Sequence, residues 1–347
     1  MRLLIAGGGT GGHLFPALAV ARELRAEEPD GAVLLVGRKG GPEERIVPEA
    51  GFDLETVSIR GLDRDAPWKN AALPFLVPAA LVAAARIIDR FRPDVVLGMG
   101  GYVMAPAVAV ARRRHIPYVL HEKDVRPGLA TRYFAAGAAA VCVTFPGTEA
   151  RLDHSRVVVT GVPLREGFQP RKPDVPPRCL LITGGSQGAR KLNEATWSVL
   201  DQLCARFEQV IHLAGRQGAE GVAAHARDRY LGLELSDDMP GLMARADLIV
   251  SRAGVGTIAE ATAVGLPMIL VPGTFGGGHQ EENAAAMVEA GAALRISDDE
   301  LTGEALIRAI ESLDDDRLRT MARASAEVGK RDAAQRVVRV LHEVAHK

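Results

Sequence analysis

Two short apolar strands in this chain each run directly into a glycine-rich turn that opens a predicted helix. The first strand, residues 3–6, leads into residues 7–13 (GGGTGGH), and the second, residues 180–182, leads into residues 183–190 (TGGSQGAR). Such turns direct backbone N–H groups at a helix start, where they bind an anion or let a ligand approach closely. One turn in each half predicts two nucleotide-binding domains facing a central cleft, as in an enzyme that joins a phosphorylated donor to an acceptor.

The size and charge of the chain agree with this organisation. A length of 347 residues, 47% of them hydrophobic, is enough for two domains that each bury a core. The 42 basic and 43 acidic residues give a net charge of −1, and only 4% of residues are aromatic. Neither a basic field nor stacking platforms are therefore expected, which argues against nucleic acid as a partner.

The three cysteines and the apolar segments indicate the compartment. Cys142, Cys179 and Cys204 are scattered without metal spacing, which is typical of reduced structural thiols in the cytosol. Glycines interrupt the N-terminal apolar run too early for a signal peptide. The longest apolar stretch, residues 71–85, contains Pro74 and Pro78 and is shorter than the ~20 residues of a membrane span, so we expect it not to cross a bilayer.

Alternating strands and helices predict a parallel sheet in each half. Residues 169–178 are rich in proline and form the predicted linker region, and residues 332–347 form an amphipathic helix expected to pack back onto the first domain. The predicted domains are residues 1–163 and 164–331. The predicted strands are residues 3–6, 33–36, 54–58, 95–97, 118–120, 140–143, 157–159, 179–182, 210–213, 232–235, 248–250 and 268–270.

Five glycine clusters fall near the ends of predicted strands, where open α/β sheets bind their ligands. Besides the two turns above, they are residues 98–101, 251–257 and 273–278. The first cluster, residues 7–13, does not fit a dinucleotide fingerprint well. That fingerprint needs an acidic residue at the end of the next strand, but the predicted strand 33–36 ends in Gly37-Arg38-Lys39. An arginine suits a 2′-phosphate, so an NADP oxidoreductase stays an alternative, although His13 would crowd the pyrophosphate.

Several motifs resemble the MurG family of glycosyltransferase family 28, in the same order over nearly the whole chain. They are GGTGGHLFPALAVA (8–21), DVVLGMGGYVMAPAVAVA (94–111), HE (121–122), GGSQGAR (184–190), DDM (237–239) and SRAGVGTIAE to HQ (251–280). The resemblance implies a GT-B fold of two Rossmann-like, doubly wound parallel-sheet α/β domains. It implies inverting, metal-independent transfer of GlcNAc, without a cofactor, from UDP-GlcNAc to undecaprenyl-diphospho-N-acetylmuramoyl-pentapeptide (lipid I), giving lipid II.

An inverting transfer needs a base for the acceptor hydroxyl and a group that stabilises the departing diphosphate. His13 in the first glycine turn is the first candidate for the base, and Glu122 is the second. The alternative for His13 is a structural histidine that bonds its own loop. Backbone N–H groups at residues 186–188 and 254–257 are expected to meet the diphosphate charge.

The resemblance also implies a donor site and an acceptor-diphosphate site. Glu260 suits ribose hydroxyls, Gln280 suits sugar hydroxyls, and Arg165 either contacts the donor or bridges the domains. The donor residues are Thr10, Gly11, Gly12, Asp124, Arg165, Ser186, Gln187, Ser236, Val255, Gly256, Thr257, Ile258, Ala259, Glu260 and Gln280. The acceptor-diphosphate residues are Gly9, Gly100, Gly101 and Tyr102.

The sequence departs from the family pattern in three places. Lys123-Asp124 stands where the family has Gln-Asn, Val162 stands where it has Asn, and Ser236 replaces a hydrophobic residue expected to face uracil. Asp124 and Val162 favour, as an alternative, a related glycosyltransferase that uses another UDP- or dTDP-sugar on a glycolipid or natural product. A non-catalytic sugar-nucleotide-binding protein would not need both His13 and Glu122.

A lipid acceptor implies a peripheral enzyme on the cytoplasmic face of the bacterial plasma membrane. An apolar cluster near Arg64 and Lys69, on the same predicted domain as the basic run 112–114, would suit an anionic membrane surface, whereas the alternative is a buried helix with a solvated arginine run. Whether the protein works alone or in a cell-wall synthesis complex stays open. The apolar cluster consists of Trp68, Leu73, Phe75, Leu76, Val77 and Leu81.

Overall fold

A computed structural model describes residues 1–9, 11–62, 67–274 and 278–345. The chain forms two compact units. Unit 1 comprises Met1–Arg165 together with Arg331–Lys347, and unit 2 comprises Glu166–Lys330. Each unit is described by itself below.

Unit 1 is built on a seven-stranded sheet in the order β3-β2-β1-β4-β5-β6-β7, and every pairing is parallel. Its strands are β1 (Arg2–Ala6), β2 (Ala32–Arg38), β3 (Asp53–Val57), β4 (Val95–Gly98), β5 (Tyr118–Glu122), β6 (Ala140–Val143) and β7 (Val157–Val159). Its helices include α1 (Gly11–Glu27), α2 (Glu43–Glu49), α3 (Leu73–Phe91), α4 (Ala105–Arg113) and α5 (Leu129–Ala135). The 3-10 helices are Pro67–Ala72 and Thr148–Arg151.

Unit 2 repeats this plan with a six-stranded parallel sheet in the order β10-β9-β8-β11-β12-β13. Its strands are β8 (Cys179–Thr183), β9 (Gln209–Leu213), β10 (Tyr230–Leu233), β11 (Leu248–Ser251), β12 (Met268–Leu270) and β13 (Ala293–Arg295). Its helices are α6 (Arg190–Ser198), α7 (Leu200–Arg206), α8 (Ala219–Ala224), α9 (Met239–Arg245), α10 (Val255–Val264), α11 (His279–Glu289), α12 (Gly303–Glu311) and α13 (Asp315–Val328), with a 3-10 helix at Arg216–Gly218.

The prediction of two doubly wound parallel sheets is confirmed. In unit 1 the strand order reverses between β1 and β4, and in unit 2 it reverses between β8 and β11. The crevice outside the carboxyl ends of such neighbouring strands is where this kind of sheet binds ligands. Four of the five glycine clusters follow these four strands, so the topology groups them into one pair in each unit.

Strand β13 is missing from the sequence predictions. It has three residues, lies at the edge of its sheet and ends in an exposed arginine, so it lacks the continuous apolar run of a central strand. Three predicted strands, in contrast, have the observed bounds: β6, β7 and β12.

The C-terminal helix α14 (Ala333–Ala345) lies in unit 1 and packs against α1. Its buried residues Val337, Val338 and Leu341 join the same core cluster as Leu14 and Leu24 of α1. The helix therefore covers part of the sheet face that α1 covers.

Helix α3 and the turn before it extend further than the predicted apolar stretch. Within the described ranges, one helix is long and apolar enough to cross a membrane, judged by length and composition alone: it spans residues Asn70–Phe91. One face, with Ala80, Ala84 and Ile88, is buried in the core of unit 1. The sequence predicts a segment too short to span a bilayer. That length is wrong, because the helix continues to Phe91.

The basic run at residues 112–114 does not adjoin the N-terminal end of α3. Arg114 forms an ion pair with Asp89 near the C-terminal end of α3 at 2.8 Å. Because an α-helix rises 1.5 Å per residue, Phe75 lies about 21 Å from Asp89 along the axis of α3. The run therefore lies in the same unit as the apolar cluster, as expected, but Arg114 pairs with the opposite end of α3.

The proline-rich segment 169–178, predicted as the linker region, belongs to unit 2 and is held there by Asp247. This carboxylate, only 2% exposed, pairs with the Arg171 guanidinium. It also accepts hydrogen bonds from the backbone N–H groups of Asp174 (2.9 Å), Arg178 (3.0 Å) and Cys179 (2.9 Å). One buried side chain thus fixes the entry of the chain into β8.

We expect Asp247→Ala to lower the free energy of unfolding by about 3 kcal/mol, because Arg171 and three backbone donors lose their acceptor. Urea denaturation followed by circular dichroism measures this change. The matched control, Asp174→Ala, removes an exposed carboxylate from the same segment and should change stability by less than about 0.5 kcal/mol. Equal effects of the two substitutions would contradict the anchoring role.

Candidate functional site

His13 is the third residue of α1 and lies at the point where β1 and β4 diverge. A Cβ atom on Gly100 would lie 3.3 Å from the imidazole Cδ2, and one on Gly101 would lie 3.4 Å from Cε1. Both glycines have positive φ angles, +85° and +70°, which other residues rarely adopt. The fold therefore seats the imidazole on a turn that only glycines form without strain.

The environment of His13 keeps its imidazole neutral. Burial is the largest cause that lowers its pKa from 6.5 to about 4; the Lys123 ammonium and His121 act in the same sense, and Asp124 acts in the opposite sense. At neutral pH the ring consequently has a nitrogen lone pair that can accept a proton. The arrangement suits a general base better than a cation.

His121 and Glu122, at the end of β5, are both buried. The His121 Nε2 lies 2.9 Å from the Gly161 carbonyl oxygen, and burial lowers its pKa to about 4, so the neutral ring donates this hydrogen bond. The Glu122 carboxylate accepts from the N–H groups of Asp124 (3.2 Å) and Gly128 (2.9 Å), and burial raises its pKa. Glu122, the second candidate for the base, thus has both oxygens engaged in holding the loop that leads to α5.

Lys123 and Asp124, the departure from the family pattern, form an ion pair at 2.6 Å with side chains only 19% and 17% exposed. Their charges act on His13 in opposite directions. This chain therefore has a charged pair where the family pattern has two amide side chains, and both charges act on the candidate base.

The predicted acceptor-diphosphate residues gather around His13 but differ in what they can offer. The Gly9 N–H donates to the Glu43 carboxylate, so a diphosphate at this amide would compete with a carboxylate. The Tyr102 hydroxyl would lie 3.3 Å from a Cβ on Gly9, and the Tyr102 ring packs against Gly61. The Gly100 N–H donates to the weakly accepting Met104 sulfur at 3.2 Å.

The donor residues predicted in unit 1 lie on both sides of His13. Gly11 begins α1 against the Phe15 ring, Gly12 is exposed beside it, and Thr10 lies outside the described residues. The Arg165 guanidinium lies 5.4 Å from the centre of the Phe15 ring, within unit 1. This cation–π contact fixes Arg165 near the start of α1.

In unit 2, α10 follows β11 after the three-residue loop 252–254 and presents the predicted backbone amides. The first intrahelical hydrogen bond joins the Ile258 N–H to the Gly254 carbonyl at 3.1 Å, so the amides of residues 255–257 precede the helical ladder. A Cβ on Gly254 or Gly256 would meet nothing within 4 Å. The helix start is therefore open to a ligand, whereas the Val255 and Ile258 side chains are buried and the Ile258 amide is already used.

The turn after β8 was expected to open a helix at residues 186–188, but α6 begins only at Arg190. Gly188 has φ +84° and its N–H closes a turn onto the Gly185 carbonyl at 2.9 Å. Ser186 and Gln187 are exposed in this turn, and their carbonyls accept from the N–H groups of the 3-10 helix Arg216–Gly218. The prediction of a helix start here was wrong, because the positive-φ turn delays it.

Gln280, the second residue of α11, already accepts a hydrogen bond from the Gly273 N–H through its Oε1 at 2.9 Å. Its amide nitrogen remains as a donor, so it offers less than the donor-and-acceptor pair we expected. Glu260 is half-buried in the second turn of α10, next to Ala259. Both side chains belong to helices that begin at glycine clusters.

Asp238 has a structural task, since it caps α9 by accepting from the Gly241 N–H at 2.9 Å. Ser236 accepts in turn from the Asp238 N–H at 3.1 Å. Within the described ranges, no three histidine, cysteine, aspartate or glutamate side chains converge in a way that could hold a metal ion.

Arg252 escaped the sequence analysis as an individual residue. Its guanidinium pairs with Asp298 at 2.5 Å and donates to the Val271 carbonyl at 3.2 Å, which ties the loop before α10 to the loops after β12 and β13. Burial of Asp298 raises its pKa, but Arg252 and Lys191 outweigh this and lower it. No local sequence signal pairs residues so far apart.

Comparison with known proteins covers both units. The model of the glycosyltransferase family 28 N-terminal domain matches residues 3–143, and that of the glycosyltransferase family 28 C-terminal domain matches residues 179–337. The matches include the loops around His13 and at the start of α10.

Relatives match over the full length. A protein of Nocardioides sp., named UDP-N-acetylglucosamine--N-acetylmuramyl-(pentapeptide) pyrophosphoryl-undecaprenol N-acetylglucosamine transferase, is 39% identical over 99% of this chain and 98% of its own. One of the same name from Limosilactobacillus reuteri is 37% identical over 99% and 98%. The crystal structure of Acinetobacter baumannii MurG has a TM-score of 0.82 at 29% identity, covering 99% of each chain. The glycotransferase of kitacinnamycin shares the fold, with a TM-score of 0.72 at 19% identity, covering 98% of this chain and 99% of its own.

We expect Lys123→Gln to raise the pKa of His13, because it removes a cation that lowers this pKa and keeps the Asp124 carboxylate, which raises it. An NMR titration of the His13 Cε1–H signal measures this change. The exposed Lys39, also in unit 1, provides the control Lys39→Gln, which should leave the titration unchanged. An unchanged or lower His13 pKa in Lys123→Gln would contradict the electrostatic coupling.

Proposed function

Since this chain belongs to glycosyltransferase family 28, and within it to the MurG family of N-acetylglucosamine transferases, we propose that it transfers GlcNAc from UDP-GlcNAc to lipid I, forming lipid II. The observation that carries the proposal is the match of both units, over the full length of the chain, to relatives of that name at 35–39% identity. The departure at Lys123-Asp124 makes the choice of donor sugar the point to test.

On the donor side, we propose that unit 2 binds UDP-GlcNAc at the start of α10. The amides of residues 255–257 and the positive end of the helix dipole face open space, which suits a diphosphate. Glu260 would accept from the ribose hydroxyls, and the Gln280 amide would donate to a sugar hydroxyl. In this proposal backbone amides, rather than a divalent cation, meet the charge that develops on the departing UDP.

On the acceptor side, we propose that unit 1 binds lipid I and that His13 is the general base. The acceptor hydroxyl oxygen bonds to the anomeric carbon from the face opposite UDP, and its proton passes to the neutral imidazole while the bond to the UDP oxygen breaks. This displacement inverts the anomeric carbon. A pKa near 4 makes His13 a weak base in the unliganded chain, and the negative charge of a bound diphosphate would raise it towards neutrality.

The exposed aromatic side chains before and within α3 support a peripheral position on the cytoplasmic face of the bacterial plasma membrane. Trp68 is 75% exposed and Phe75 is 80% exposed, whereas Leu73 and Leu76 are half-buried. Exposed aromatic side chains next to a lipid substrate suit insertion at the headgroup level. Arg64 and the Lys69 side chain lie outside what the structure describes.

We expect the protein to release UDP from UDP-GlcNAc in the presence of a lipid I analogue, and His13→Ala to lower kcat by about 100-fold or more. A coupled UDP assay with UDP-GalNAc and UDP-glucose as competing donors measures both activity and donor choice. His115→Asn is the control, because the exposed His115 has φ +57°, a conformation that asparagine tolerates.

Three outcomes of this assay would count against the proposal. Transfer only from another sugar nucleotide would support the related-glycosyltransferase alternative. Near-normal turnover of His13→Ala, with loss of turnover in Glu122→Gln, would make Glu122 the base. Loss of activity on adding EDTA would contradict a reaction without metal.

We expect the double substitution Trp68→Ser and Phe75→Ser to reduce co-sedimentation with vesicles of phosphatidylglycerol and phosphatidylethanolamine, because two exposed aromatic anchors are lost. The control is Val288→Ser, which removes an exposed apolar side chain (42%) from unit 2. Equal sedimentation of the double variant and the parent would exclude these residues as membrane anchors.

A further inference from the structure

Glu43, the first residue of α2, is a fully buried carboxylate surrounded by glycines. A Cβ on Gly8 would lie 2.7 Å from its carboxyl carbon, one on Gly41 would lie 3.0 Å from the same atom, and one on Gly37 would lie 3.0 Å from the Glu43 Cβ. A side chain at Gly8, Gly37 or Gly41 would therefore clash with Glu43, so glycine at these three positions makes room for it.

The Glu43 carboxylate reaches from the loop after β2 to the loop after β1. Its Oε1 accepts a hydrogen bond from the Gly9 N–H, and its Oε2 has no hydrogen-bond partner among the residues that the structure describes. Burying a carboxylate costs free energy unless hydrogen bonds compensate for the lost hydration. A carboxylate retained there with so few donors is therefore unexplained by stability alone.

The Gly9 amide is close to the candidate base along the chain. Gly9 lies two residues before α1 begins and four residues before His13. Gly8 and Gly9 have φ angles of +149° and +81°, so the loop backbone is intrinsically free to adopt several conformations. The His13 ring, in contrast, has a close-fitting seat on Gly100 and Gly101, so a small loop movement would displace it.

We propose that Glu43 is a positioning residue: its carboxylate holds the Gly9 amide and thereby fixes the loop that presents His13 to the acceptor hydroxyl. The inference rests on the function proposed above. It also assigns the Gly9 amide to Glu43 rather than to the acceptor diphosphate. A misplacement of about 1 Å in a reacting group is enough to cost about 100-fold in rate.

Three variants test the proposal by steady-state kinetics. Glu43→Ala removes the acceptor oxygen, Glu43→Gln keeps it without the charge, and Glu44→Gln is the matched control, since Glu44 is the exposed neighbour whose carboxylate accepts from the Gly40 N–H at 2.9 Å. We expect kcat of Glu43→Ala to fall by about 10- to 100-fold. KM for UDP-GlcNAc should change less than kcat, because the amides and Glu260 proposed to bind the nucleotide lie in unit 2, and Glu43→Gln should recover most of kcat.

Two measurements do not depend on turnover. Hydrogen exchange of the Gly9 amide should be faster in Glu43→Ala than in the parent, because its acceptor is gone. The His13 imidazole, titrated by NMR, should show a pKa closer to 6.5 in Glu43→Ala, since a loosened loop admits water to the ring. Both readings should stay near the parent value in Glu43→Gln and Glu44→Gln.

The outcomes separate this inference from the proposed function. A parent enzyme without GlcNAc transfer would overturn the proposed function, while the exchange and titration readings would still decide whether Glu43 positions His13. An active parent whose Glu43→Ala variant has a lower melting temperature but parental kcat and His13 titration would overturn the positioning role. A parental kcat in Glu43→Ala with no other change would overturn it as well.

Discussion

The parallel pairing of β1 with β4 and of β8 with β11 is the constraint on which both candidate sites depend. Parallel strands bring their carboxyl ends to one edge of the sheet, and the helix that follows each strand begins at that edge. Because the strand order reverses at these pairs, their two following loops diverge and leave a crevice between them. The amides of α10 and the imidazole of His13 both occupy positions that this reversal creates.

The glycines at the two candidate sites have different surroundings. Around His13 in unit 1, Glu43 fills the space beside Gly8, and His13 fills the space beside Gly100 and Gly101. In unit 2, Gly254 and Gly256 face empty space at the start of α10. Crowded glycines fix side chains in place, whereas open glycines leave room for a ligand. This difference matches the proposed division between a unit that holds the base and a unit that holds the nucleotide.

Removal from water determines the chemistry around His13. Burial lowers the pKa values of His13 and His121 to about 4 and raises that of Glu122. His121 donates a hydrogen bond to Gly161, and Glu122 accepts from two loop amides. The neighbouring charges of Lys123 and Asp124 then adjust His13 in opposite directions. The hydrogen bonds of these buried groups hold the loop after β5 in place, and burial keeps the candidate base unprotonated.

The amino-acid sequence determined the class of the fold, since short apolar runs that alternate with helices can bury a parallel sheet on both faces. It also determined the glycine turns and the position of His13 within one of them, because turn chemistry is local. It did not predict β13, whose three residues at a sheet edge carry no apolar pattern, or the late start of α6, which depends on a turn at Gly188.

Only the tertiary structure decided which of these parts meet. Gly100 seats His13 and Glu43 holds Gly9 because strand order, not spacing in the chain, brings their loops to one edge of the sheet. Asp247 likewise gathers donors from a segment about 70 residues earlier in the chain. Such contacts carry no local signal, because a buried hydrogen bond requires the right distance and geometry, and folding alone sets these.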